Sequence, residues 1–219
     1  MVGMKRLIIY DLDGTLIDTL EDIAQAANHM LRELTAPAAS LDEVRRCVGR
    51  GVEELVKRCL KTEAPDRIGH GVELYCAYYG KHLLDHSRLY AGVRDVLEYF
   101  ASRDQAVITN KPNPFSRTLL AALGVADYFV EIIAGDSQYP KKPDPTAVQS
   151  IMERRRIDPA EAMFIGDSPI DIETGRHAGV LTVGVSHGLS DEDELVCAAP
   201  DVLVKNFREL LARARERGW

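Results

Sequence analysis

The sequence predicts an α/β fold, a mostly parallel sheet with helices on both faces, interrupted near its start by an all-helical segment. Three observations carry this expectation. Short runs rich in Val, Ile and Leu alternate with helical periodicity from about Val93 onward, the order that builds parallel sheets rather than hairpins. Polar residues recur where those runs stop: Asp11 and Asp13, Thr109 and Asn110, Asp167 and Ser168. Between about Leu16 and Leu89 only helical spacing is found, with no convincing strand.

Composition sets the bounds. At 219 residues, 46% hydrophobic and 28% charged, the chain is long enough for one large domain or two small ones. A net charge of -7 argues against nucleic-acid binding, which needs a basic face to meet phosphates. A small anionic ligand is still compatible, because only the field around its pocket matters. Cys47, Cys59, Cys76 and Cys197 show no CxxC spacing and no zinc pattern, so free thiols in a reducing compartment are expected. Lys5-Arg6 precedes an apolar run too short for a signal segment, and no stretch is suited to spanning a membrane. A cytoplasmic protein, monomer or homodimer, is the expectation.

Leu7 to Tyr10 reads as the first strand, ending in Asp11-Leu12-Asp13 before Gly14 frees the backbone to turn. Asp18 to Glu21 looks like a capping box, with Asp18 the N-cap of a helix that buries Ile23, Ala26, Ala27, Met30, Leu31 and Leu34. Ser40 to Glu43 is a second capping box, opening a short helix that ends near Gly49. After the flexible junction Gly49-Arg50-Gly51, helical spacing resumes over Val52 to Leu60 and much of Asp66 to Leu84.

A short helix over Val93 to Ser102 leads to a strand from Gln105 to Ile108. Asn113-Pro114 caps a helix closing at Gly124, and Val130 to Ala134 is a strand. Asp144-Pro145 pairs an N-cap with a proline at the first helical position, for a helix to about Arg155. Asp158 to Glu161 is a capped turn before the strand Ala162 to Ile165, and the next helix runs to Ala178. Leu181 to Val185 and Asp201 to Val204 are the last strands, and Phe207 to Arg217 is a closing helix.

All strands of a parallel sheet end on one side, where open α/β folds bind ligands. Asp11 and Asp13 leave two readings open there. One acid attacks as a nucleophile while the other carries a proton, or the pair is a plain acidic strand end with an Asp-Gly turn. Thr109, Asn110 and Lys142 can converge on the same edge and suit a phosphoryl group. Asp167 and Asp171, four apart at a helix start, share a face and repel unless something positive joins them; a divalent ion answers this economically. Asp136, in a second Gly-Asp-Ser triplet followed by Pro140, reads as loop structure.

DLDGT, TNK, KP and GDSPID, in this order, resemble the motifs of the haloacid dehalogenase superfamily over essentially the whole chain. The helical insertion, together with TNKP, DHSRLYAGV and VGRG, resembles its phosphoglycolate phosphatase-like subgroup. The resemblance implies a Rossmann-like catalytic core from residues 1–15 and 90–219, with residues 16–89 as a helical cap that selects the substrate. It implies that Asp11 forms an aspartyl-phosphate, that Asp13 exchanges the proton, and that Thr109, Asn110 and Lys142 hold the phosphoryl group. Mg²⁺ would lie on the Asp11 carboxylate, the Asp13 carbonyl and Asp167, with Asp171 supporting a metal-bound water or Lys142.

The substrate expected on this resemblance is a small phosphate ester, foremost 2-phosphoglycolate. A β-phosphoglucomutase-like transferase, or a phosphatase for another small ester or pyrophosphate, is the alternative. Dehalogenases of the superfamily lack an acid at the place of Asp13, because a halide leaves without a proton. In the cap, Arg50 either presents its guanidinium to a substrate carboxylate or is a solvated turn residue. Tyr75, Tyr78 and Tyr79 read as cap core, and His187 as part of a plain loop.

Overall fold

The computed structural model describes residues 4–219. Leu7–Tyr10 (β1) is buried throughout, as a strand with helices on both faces must be. Its alternation divides the interior. Ile8 and Tyr10 join the larger core cluster, whereas Leu7 and Ile9 join a second cluster on the opposite face. Ile17–Asp18 (β2) is followed by helices Leu20–Glu33 (α1), Leu41–Arg45 (α2), Val52–Leu60 (α3) and Pro65–His82 (α4). Arg88–Leu89 (β3) then pairs antiparallel with β2, Ile17 facing Leu89 and Asp18 facing Arg88.

The remainder alternates: Val93–Tyr99 (α5), Asp104–Ile108 (β4), Asn113–Ala122 (α6), Glu131–Ile133 (β5), Thr146–Arg155 (α7), Ala162–Gly166 (β6), Pro169–Ala178 (α8), Leu181–Val185 (β7), Glu192–Cys197 (α9), Val202–Val204 (β8) and Phe207–Arg217 (α10). The sheet has six parallel strands in the order β5-β4-β1-β6-β7-β8, so β1 lies inside it between β4 and β6. Tyr10 is level with Val107 on one side and Ile165 on the other, which brings the residues after all three strands to one edge.

The α/β expectation holds, with local corrections. Two strands do occur in the inserted segment, the two-residue β2 and β3 at its ends. Asp18 is not the N-cap of α1. Thr19 occupies that position without a side-chain cap, while Asp18 pairs with Arg88 at 2.7 Å. The Ser40 capping box is present as read. Asn113 is the first residue of α6 rather than its cap, and its N–H is taken by Asp136 Oδ1 at 2.8 Å, so Asp136 does serve as loop structure. Pro145 stands one place outside α7, and Asp144 Oδ1 accepts the Thr146 N–H at 2.8 Å. Helix α9 went unread because its acidic first turn carries too little apolar periodicity.

One buried acid joins the two ends of the insertion. Asp22 on α1, 1% exposed, accepts from the N–H groups of His86 and Ser87 and from the Ser87 hydroxyl at 2.6 Å. A carboxylate that receives several donors in the interior is well compensated for its lost water. Cys47 and Cys59 are buried, Cys76 is half-buried and Cys197 is exposed; all four are free thiols.

Candidate active site

The site is built from the carboxyl ends of β1, β4 and β6 and from the loop after β5. Asp11 continues β1 for one more bond, its N–H donating to the Ile165 carbonyl at 3.0 Å. Its carboxylate meets Lys142 Nζ at 2.7 Å, and the same ammonium contacts Asp171 Oδ1 at 2.6 Å. Lys142 is buried, yet the two acids overcome the desolvation that disfavours its charge and hold its pKa above the usual lysine value. Asp171 is completely enclosed, and its second oxygen accepts from the Ser168 hydroxyl at 2.6 Å. It therefore anchors both Lys142 and the start of α8.

Asp167 accepts from Thr15 Oγ1 at 2.6 Å and from the Leu189 N–H at 2.7 Å. Gly14 and Gly188 close in on it so tightly that a Cβ on either would collide with its side chain. At Gly14 the backbone also has φ +85°, which other residues rarely adopt. Oxygens of Asp11, Asp167 and Asp171 lie within 4.8 Å of one another, all buried. Burial pushes the Asp11 carboxyl up to about 7, Lys142 pulling against it and Asp171 and Asp13 adding to it. Burial, then Asp171 and Asp11, push Asp167 up to about 8. Three buried acids with one lysine are short of positive charge, and carboxylate oxygens are the donors that a hard divalent cation takes. The donor set fits such an ion.

Asp13 turns its carboxylate away from this cluster. Its Oδ1 accepts from Thr19 Oγ1 at 2.7 Å and from Lys111 Nζ at 2.9 Å. Thr109 and Asn110 are buried at the end of β4. Thr109 Oγ1 accepts the Lys111 N–H at 3.2 Å, which leaves the hydroxyl proton to be donated elsewhere. The Asn110 amide is committed: Nδ2 donates to Gly49 O at 2.9 Å and Lys142 O at 3.2 Å, and Oδ1 accepts the Lys142 N–H at 2.9 Å. Asn110 thus fixes the Lys142 loop and joins it to the helical segment.

Two connected spaces open on Asp11 and Asp13. The inner one is walled by Ile23, Val52, Leu55 and Tyr75 and has Lys111 as its cation. The outer one carries Arg45, Arg46, Arg50 and Arg58 from the helical segment, facing Lys142, Asp167 and Asp191. Arg50 itself is exposed and lies only in the outer space. Of Tyr75, Tyr78 and Tyr79 on α4, Tyr75 alone lines the inner space.

Sequence reasoning passed over Lys111, Thr19, the Leu189 N–H and the part played by His187. His187 Nε2 lies 3.1 Å from the Thr15 carbonyl, and its ring stacks on Tyr90 and Phe207, so it braces the first motif loop. Lys111 had a signal, as the last residue of TNK, although nothing local marks its partner Asp13 so far back in the chain.

This fold and this acidic cluster define a haloacid dehalogenase-like hydrolase, and the chain belongs to that family, whose sequence profile matches residues 8–185. Within the family it is a phosphatase similar to phosphoglycolate phosphatases. It is 36% identical over 217 residues to the phosphoglycolate phosphatase of Pseudomonas putida, covering 95% of this chain and 79% of that protein. It is 34% identical over 215 residues to the one from Vibrio parahaemolyticus, covering 94% of both. A crystal structure described as a predicted phosphoglycolate phosphatase from Haemophilus somnus superposes with a TM-score of 0.92 at 29% identity, covering 97% of this chain and 99% of that one.

Proposed function

We propose that this protein is a Mg²⁺-dependent phosphomonoesterase that works through an aspartyl-phosphate on Asp11, with 2-phosphoglycolate as its substrate. The observation that carries the reading is Asp11 itself: a buried carboxylate at a central strand end, 2.7 Å from Lys142 and among two further acids. The name borne by the relatives at 34–36% identity supports the choice of substrate. We further take residues 16–89 to be the cap and residues 1–15 and 90–219 the core, and the enzyme to act in the cytoplasm as a monomer or homodimer.

Asp11 attacks phosphorus in line, forming an O–P bond as the ester P–O bond breaks. Asp13 gives its proton to the departing oxygen, then removes one from the water that attacks the aspartyl-phosphate, and the Asp11–phosphorus bond opens to release phosphate. Lys142, held by Asp171, offsets charge on the transferring group, while the Thr109 hydroxyl and the Asn110 backbone N–H grip its oxygens. The Asp11 and Asp167 carboxylates and the Asp13 carbonyl would hold Mg²⁺, which when bound neutralises phosphoryl charge. Asp171 serves this arrangement by positioning Lys142.

The test is Asp11→Asn assayed on p-nitrophenyl phosphate, with circular dichroism as the check on folding. A folded variant without phosphate release is expected. Undiminished release in that variant overturns the mechanism.

A further inference from the structure

Lys111 is absent from the phosphoryl grip just described, yet it is buried at the inner end of the site. Its ammonium bonds both oxygens of Asp13, at 2.9 and 3.2 Å, and stands 4.5 Å above the Tyr79 ring. It is the only lysine or arginine lining the inner space, among the described residues. Apart from the strand ends and Tyr75, the rest of that lining is small or apolar: Ile23, Val48, Val52 and Leu55 are all on the helical segment. Such walls accept a leaving group of few atoms, and they raise the worth of any charge pair formed between them.

Resting on the phosphomonoesterase reading, we infer that Lys111 binds a second anionic group of the substrate, one carried on the carbon next to the ester oxygen. The reach follows from the hydrogen bonds. Asp13 must come within about 3 Å of the ester oxygen to protonate it, and Lys111 sits one further hydrogen bond from Asp13. A carboxylate two bonds from that oxygen, about 2.5 Å away, is then placed beside the ammonium.

The same geometry gives the anion a second effect. Asp13 now spends its oxygens on Lys111 and Thr19. A substrate carboxylate arriving on Lys111 substitutes for Asp13 as the partner of the ammonium, and Asp13 is released toward the ester oxygen. Selection of the acidic leaving group and freeing of the proton carrier are then one event. Arg50, exposed at the outer space, is left without that task.

The experiment compares kcat/KM of the full-length enzyme, with Mg²⁺, on 2-phosphoglycolate and on ethyl phosphate, which has a methyl in place of the carboxylate. The wild type is expected to prefer phosphoglycolate, and Lys111→Met to lose that preference by about 10- to 100-fold, the worth of one charge-assisted hydrogen bond. Lys111→Arg is expected to keep part of it. Both substrates slow together in any variant that only disturbs Asp13, so the ratio is the readout. A wild-type enzyme that hydrolyses both esters without preference overturns the inference and leaves the phosphatase reading standing. An unchanged ratio in Lys111→Met overturns it as well. A wild type that releases phosphate from neither ester overturns the underlying reading itself.

Discussion

Asn110 donates its side-chain amide to the carbonyl of Gly49 at 2.9 Å, which bonds the end of a sheet strand directly to the loop between α2 and α3. The same side chain accepts the N–H of Lys142. One residue therefore holds the helical segment and the charged loop in register with β4. Asn110→Ala should lower stability by about 1–3 kcal/mol, because a buried Lys142 N–H loses its acceptor. It should also lower kcat, since Lys142 is no longer fixed beside Asp11. Urea unfolding and steady-state kinetics check the two effects, and a fully active variant would contradict the second.

The acidic cluster makes stability depend on pH when divalent metal is removed. Asp11 and Asp167 are pushed up to about 7 and about 8 in the fold, against about 3.9 for an unfolded aspartate. A carboxyl with a raised folded value binds its proton more tightly when folded. The cost of ionising it is absent below the unfolded value and grows as pH rises to about 8. Metal-stripped protein should therefore melt at lower temperature as pH rises from about 5 to about 8. Added Mg²⁺ should raise Tm more at the upper end, where both acids want charge compensation. Equal Mg²⁺ shifts at the two ends would contradict this.

Gly188 packs against Asp167 where no Cβ fits. Gly188→Ala should push Asp167 off the Leu189 N–H and weaken activation by Mg²⁺ about 10- to 100-fold, as removal of a ligand's supporting contacts typically does. A Mg²⁺ titration of activity measures it.

Asp22→Ala strands the N–H groups of His86 and Ser87 at the point where the insertion returns to the sheet. A loss of about 3 kcal/mol is expected from one buried and one part-buried donor left without their acceptor, read as a shift of the urea midpoint.

Arg50→Ala should leave the ranking of substrates unchanged. The side chain is exposed and reaches only the outer space, and exposed charge contacts contribute about 0–1 kcal/mol. A change in kcat/KM of less than about fivefold is expected for each ester.

The strands were legible because burial on both faces demands uninterrupted apolar runs such as Leu7 to Tyr10. The acids and lysine of the site were legible because parallel strands share one edge, so Asp11, Thr109 and Asp167 had to meet near it. Contacts made across the chain were not. Asp136 caps α6 from another loop, and Lys111 finds Asp13 across 98 positions. Asp18 and Thr19 are both good cap residues, and propensity had no means of choosing between them; the pairing of Asp18 with Arg88 decides. Strands of two residues, such as β2 and β3, have no period to detect.

That small ribbon has a consequence for how such a chain can change. With Ile17 facing Leu89 and Asp18 facing Arg88, the departing and returning backbones stand one strand spacing apart, about 4.8 Å. Whatever is spliced between them need only begin and finish at neighbouring points, a condition that segments of very different length meet at little entropic cost. The ribbon fixes only where the segment leaves and returns; its further ties to the charged edge, such as the Asn110 bond to Gly49, are made beyond that doorway. An exchanged segment would therefore enter and leave the sheet at Ile17, Asp18, Arg88 and Leu89, and would have to offer Asn110 a carbonyl in place of that of Gly49.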